Sequence, residues 1–185
     1  VTRIDPSGET WRLSGEGADA FRERIKKETG LTIKPDGAGV DRIVKRDAVP
    51  ARDNPLQKAM REELRKTVER VTQSTYQVEM KIVQANPSPK GFPTTYVDDF
   101  NERTVVNSHL DQFDKIFEGT WKKDPNGPTT AELILHFLTE YDHAENPKNE
   151  KAERGYDPSH KEAMTAQNKV REKVEGTSPM VSQVG

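Results

Sequence analysis

The sequence predicts an α+β domain in which several helices pack on a small, mostly antiparallel sheet. Three stretches carry this expectation. Residues 76–84, Tyr76-Gln77-Val78-Glu79-Met80-Lys81-Ile82-Val83-Gln84, alternate apolar and polar up to Val83, as a strand with one buried face does. Leu56, Met60, Leu64, Thr67, Val68 and Val71 recur at three and four between Asn54 and Gln73, the spacing of a helix. Thr129 and Glu132 form a Thr-x-x-Glu capping box ahead of Leu133, Ile134, Phe137, Leu138 and Tyr141, so a second helix begins at a marked position.

The other elements follow in chain order. Trp11 to Leu13 reads as a short strand, and Ser14-Gly15-Glu16-Gly17 turns the chain. Ala18, Phe21, Ile25 and Glu28 then keep helical spacing, and Gly30 is placed as the C-terminal cap. Leu31 to Lys34 and Val40 to Val44 flank the turn Pro35-Asp36-Gly37-Ala38-Gly39 and form a hairpin. Pro55 suits the first position of the helix that follows. Beyond the breaker Asn86-Pro87-Ser88-Pro89-Lys90-Gly91, Thr94 to Val97 and Thr104 to Val106 are weaker strand signals on either side of an acidic turn at Asp98-Asp99. Leu110, Phe113, Ile116 and Phe117 mark a short helix within 109–121, and Asp124-Pro125-Asn126-Gly127-Pro128 stops it. The capped helix runs to Glu145–Pro147, a charged and mobile loop spans 146–155, and a last helix runs from Pro158 or Ser159 to about Val174. Residues 1–176 are expected to form one domain, with 177–185 a flexible tail.

Bulk composition narrows the classes of function. Across 185 residues, 31% are hydrophobic and 32% charged, with a mean hydropathy of -0.93, which describes a solvated domain lean in core. A net charge of -2 offers no broad cationic surface, so nucleic acid is not expected as a partner. The absence of cysteine excludes disulfides, thiolate metal sites and a cysteine nucleophile. No run approaches the roughly 20 apolar residues of a membrane span, and no signal-peptide pattern opens the chain. The opening Val1 to Gly8 reads as a segment entering from upstream, as in a C-terminal domain of a longer polypeptide.

Chemistry concentrates near the C-terminus, where three of the four histidines lie. His136, Glu140 and His143 fall at i, i+4 and i+7, one narrow strip on the flank of the capped helix, and His160 follows on the last helix. Imidazole and carboxylate are ligands that zinc accepts, and a catalytic zinc site needs three protein ligands with one open position. His136 and Glu140 with either His143 or His160 meet that requirement. The competing reading is a polar helix flank that is merely solvated, because the familiar His-Glu-x-x-His spacing is not present.

The segment from Thr130 to Ala163 carries His136-Phe137-Leu138-Thr139-Glu140-Tyr141 and then Tyr156-Asp157-Pro158-Ser159-His160-Lys161-Glu162-Ala163. It resembles the zincin-like C-terminal domains of bacterial polymorphic toxins, found at the ends of Rhs-type proteins and among contractile-injection cargo. The short helix ending in Thr29-Gly30-Leu31-Thr32-Ile33 before a hairpin is similar to the front of that group. The resemblance implies a minimal zincin-like fold, Zn2+ held by His136, Glu140 and His160, and a peptidase-like toxin secreted or injected into a target cell. It also implies a protein or peptide substrate, a delivery apparatus and an immunity protein. In the family a glutamate directly follows the first histidine and serves as general base. This chain has Phe137 there, which leaves Glu145, Glu162 or His143 to substitute, or a site that is structural. Tyr156 and Tyr141 are the hydroxyl donors available to an oxyanion, with Tyr141 placed by its spacing on the packed flank.

Other constellations are weaker. Asp98, Asp99, Asp111 and Asp114 form an acidic cluster without EF-hand spacing and read as a solvated turn, although a magnesium-dependent hydrolase or nuclease would use such a group. His109 has no sequence partner, the paired glycines at 15 and 17 and at 37 and 39 are turn residues, and Trp11 and Trp121 read as core anchors. The non-catalytic alternative is a binding or cargo module, with or without a stabilising metal.

Overall fold

The computed structural model describes residues 10–51, 54–84, 98–100, 103–106, 110, 127 and 129–180. Strand β1 (Thr10–Ser14) leads into α1 (Ala18–Thr29), a hairpin of β2 (Leu31–Pro35) and β3 (Asp41–Arg46), α2 (Pro55–Val71) and β4 (Gln77–Val83). Short strands β5 (Asp98–Asp99) and β6 (Thr104–Val106) follow, and the chain closes with α3 (Thr130–Glu145), a 3-10 turn (Lys151–Arg154) and α4 (Tyr156–Glu172). The class is α+β, as expected.

The sheet departs from the expected antiparallel arrangement. Its order is β1-β4-β6-β5, with β1 and β6 both parallel to β4 and β5 alone antiparallel to β6. The hairpin β2–β3 is antiparallel and forms a separate two-stranded sheet. Alternating hydropathy reports which face of a strand is buried, and Val78, Met80 and Ile82 are fully buried as it requires. It carries no information on the direction of the neighbour. Here α1, the hairpin and α2 intervene between β1 and β4, the long crossover that a parallel pair needs.

The acidic pair Asp98-Asp99 is likewise a strand rather than a turn. The expected strand at Thr94 to Val97, the opening segment and Trp121 lie outside the described residues. So does the helix over 109–121 apart from Leu110, which is buried in the core.

Helix boundaries follow their capping chemistry. Asn54 Oδ1 accepts the Gln57 backbone N–H at 3.0 Å, and Pro55 occupies the first turn of α2. Gly30 ends α1 at φ 75°, and a Cβ there would stand 2.3 Å from the Ala48 carbonyl oxygen. Left-handed backbone and this close approach both require glycine, so Gly30→Ala is expected to destabilise by more than about 1 kcal/mol, read as a lower urea midpoint. A wild-type midpoint would refute the assignment.

Helix α3 is the centre of the molecule, packed against α2, α4 and β4. Ala131, Ile134, Leu135, Phe137, Leu138 and Tyr141 are all buried, so it is covered on more than one face. The threonine half of its capping box forms, with Thr129 Oγ1 accepting the Glu132 N–H at 3.0 Å. The glutamate half differs: the Glu132 carboxylate turns to Gln167 and Arg171 on α4. A buried guanidinium competes for that carboxylate better than a helix-start N–H does.

The 146–155 connection is built by hydrogen bonds, Asn149 Nδ2 to the His143 carbonyl and Arg154 to the carbonyls of Asn149 and Pro147. Helix α4 starts at Tyr156, two residues before the expected Pro158. The chain then folds back on it: the Met180 N–H donates to Asn168 Oδ1 at 2.8 Å, and Asn168 Nδ2 to the Met180 carbonyl at 3.1 Å.

Candidate metal centre

The centre forms where α3 and α4 pack together. Glu132, His136 and Glu140 follow one another at four-residue steps along α3, and His160, Gln167 and Arg171 occupy one strip of α4, since seven and eleven residues are close to whole turns. Glu132 meets Gln167 and Arg171, His136 meets Gln167 and His160, and Glu140 meets His160. The two helices therefore run antiparallel, with their polar strips face to face.

His136 Nε2, a Glu140 carboxylate oxygen and His160 Nδ1 converge, all within 4.8 Å of one another. His136 Nε2 lies 3.1 Å from His160 Nδ1 and 3.3 Å from Glu140 Oε2, and His160 Nδ1 lies 3.8 Å from Glu140 Oε1. Three ligands bound tetrahedrally at zinc distances of 2.0–2.2 Å sit about 3.4 Å apart. The contact between the imidazoles and the contact of each imidazole with the Glu140 carboxylate, one to each oxygen, bracket that edge, so these side chains could hold a metal ion once the carboxylate turns one oxygen toward both rings.

Burial adds an independent reason. Glu140 is only 1% exposed, and its Oε1 is buried without a hydrogen-bond partner among the described residues. An ionised carboxylate in such a place is costly unless a cation or donor joins it. His160 is held below the usual histidine range by burial first and the neighbouring His136 second, against the opposing pull of Glu140 and Asp157. The shift favours the uncharged ring, the form of a histidine that can bind a metal. The side chains of His136 and His160 are 12% and 26% exposed, so the cluster opens toward solvent on the imidazole side while the carboxylate forms its floor.

The remaining site residues fall elsewhere. His143 is in line with His136, but seven residues carry it about 10.5 Å along the helix axis, too far for one ion. Its Nδ1 pairs with Ser159 Oγ at 3.1 Å. Glu162 is exposed and sits about 200° around α4 from His160. It lines a different cleft, about 500 Å³, with Lys66, Arg70, Asp142 and His143. Neither residue joins the three-ligand group. Glu145 is also committed elsewhere, 3.0 Å from Arg103.

Tyr156 does lie at the centre. Its ring stacks on His160 with centroids 5.1 Å apart, meets Phe100 edge-on at 5.5 Å, and is 48% exposed. Tyr141 is buried, and its hydroxyl donates to the Thr104 carbonyl at 3.3 Å. Phe137, 4% exposed, belongs to the apolar core and meets the His136 ring edge-on at 6.0 Å. The position after the first histidine therefore supplies packing and no proton acceptor.

Sequence reasoning missed Gln167, Glu132 and Arg171, which back the centre from inside. Their signal was available as the shared strip of His160, Gln167 and Arg171 on the last helix. Comparison with protein-family models, curated proteins and solved structures finds no match for this chain.

Proposed function

We propose that this chain is a zinc-dependent hydrolase acting on protein or peptide substrates, the toxin domain of a bacterial effector secreted or injected into a target cell. The convergence of two imidazole nitrogens and one carboxylate oxygen on a point open to solvent supports it. His136, Glu140 and His160 would hold the ion, and bound zinc would supply Lewis-acid polarisation of a scissile carbonyl. Glu140 would neutralise part of the ion's charge from the floor, and the two imidazoles would leave the exposed side for substrate. Tyr156, stacked on His160 at the mouth, is the hydroxyl that would donate to an oxyanion. An immunity protein and a delivery apparatus belong to the same reading as partners.

A second reading has its own observation. Phe137 is buried where a zincin places its base, which favours a centre that staples α3 to α4 in a binding or cargo module. No described helix is long and apolar enough to cross a membrane, which suits either reading.

Elemental analysis of the purified chain after zinc repletion, with a quenched fluorescent unfolded-protein substrate, separates the two. The hydrolase reading expects about one zinc per chain and hydrolysis that a chelator abolishes and zinc restores. Stoichiometric zinc without hydrolysis establishes the stapling role. Absence of zinc overturns both.

A further inference from the structure

Behind the three ligands lies a buried polar chain that ends outside the centre. Glu132 is 0% exposed, Arg171 1% and Gln167 3%, so water does not compete for their contacts. Arg171 places Nε on Glu132 Oε1 and a terminal nitrogen on Oε2, both at 2.7 Å. This two-point grip fixes the plane of the carboxylate. Gln167 Nε2 donates to the same Oε1 at 2.9 Å, and Gln167 Oε1 lies 2.6 Å from His136 Nδ1.

The chemistry of these groups permits one arrangement. A guanidinium only donates and an ionised carboxylate only accepts, so Glu132 must receive the amide nitrogen of Gln167. The amide cannot flip without setting its oxygen against the carboxylate. Its oxygen therefore faces His136, and a carbonyl oxygen 2.6 Å away requires a hydrogen on Nδ1. In the uncharged ring that leaves Nε2 bare for ligation, turned toward Glu140 and toward His160, whose Nδ1 is then the donor across their 3.1 Å contact until a metal replaces that proton.

We infer that Gln167 is a positioning residue of the centre, which holds His136 with its proton on Nδ1 and aims Nε2 at the ion, itself oriented by Glu132 and Arg171. This assignment rests on the metal reading proposed above. An imidazole free to rotate and change tautomer would have to be ordered each time a metal bound, whereas here the order is built into the packing of the two helices. Loss of such a partner typically lowers metal affinity by about 10- to 100-fold.

Two measurements test it. Long-range 15N–1H spectra of the wild-type apo protein at pH 7.5 should show His136 protonated on Nδ1. In Gln167→Met, which keeps the side chain's length and leaves Glu132 gripped by Arg171, that preference should be lost and zinc affinity should fall by about 10- to 100-fold, with the circular dichroism spectrum unchanged. His136 lacking the Nδ1 proton in the wild type, or unchanged zinc affinity in Gln167→Met, overturns the role of Gln167. Failure of the wild type to bind zinc overturns the metal reading instead. The apo tautomer is read without any metal, so the two failures are distinct.

Discussion

Zinc is expected to raise the unfolding temperature of the wild-type protein, and His136→Ala and His160→Ala are each expected to abolish that rise. The ligands come from two helices, so the ion binds the folded arrangement and lacks a preformed site in the unfolded chain. Free zinc at 100 times its dissociation constant stabilises by about 2.7 kcal/mol, which for a chain of this size corresponds to a shift of roughly 5–10 °C. Glu140→Gln divides the effect further. It removes an anionic ligand and with it the response to zinc, yet it also removes a buried carboxylate oxygen without a hydrogen-bond partner among the described residues. The apo form of Glu140→Gln should therefore be at least as stable as apo wild type. Thermal scans with zinc and with chelator check both statements, and an undiminished zinc shift in His160→Ala would remove that histidine from the ligand set.

The second large effect lies in the network behind the centre. Arg171→Met should destabilise by about 3–5 kcal/mol, because it leaves the Glu132 carboxylate buried with only an amide for company. Against a typical domain stability of about 5–15 kcal/mol, this is a large fraction. The double variant Glu132→Gln/Arg171→Met should recover much of the loss, since the main cost is the stranded charge and not the missing attraction. Urea unfolding at neutral pH compares the three. Equal destabilisation in the single and double variants would mean that packing around Arg171, and not the charge of Glu132, dominates.

Two further ion pairs show how often this chain buries charge. Arg61 pairs with Glu28 at 2.7 Å, and Arg22 with Asp41 at 2.6 Å, each joining elements distant in sequence. Glu28 shares the helical spacing of Phe21 and Ile25, but nothing in the linear sequence pairs it with Arg61 or Arg22 with Asp41. Nothing in a polar helix flank distinguishes a residue facing water from one facing another helix's polar strip, because the distinction depends on what packs over it. For the same reason Glu132 reads as half of a capping box, although it serves as the counterion of Arg171.

Local chemistry in the sequence determined the helices over 18–29, 55–71, 130–145 and 156–172 to within a few residues, through hydrophobic spacing, Asn54, Thr129 and Gly30. It also determined the buried face of β4 and brought forward His136, Glu140 and His160 as a group, the last through resemblance. These features are set within a turn or two of chain, where propensity and capping act. Strand direction, the choice of His160 over His143, the turning away of Glu162 and the recruitment of Gln167 were decided only in three dimensions. Each depends on how α3 and α4 align or on which strand returns beside β4. Those are contacts between residues far apart in sequence, set by the packing of whole elements.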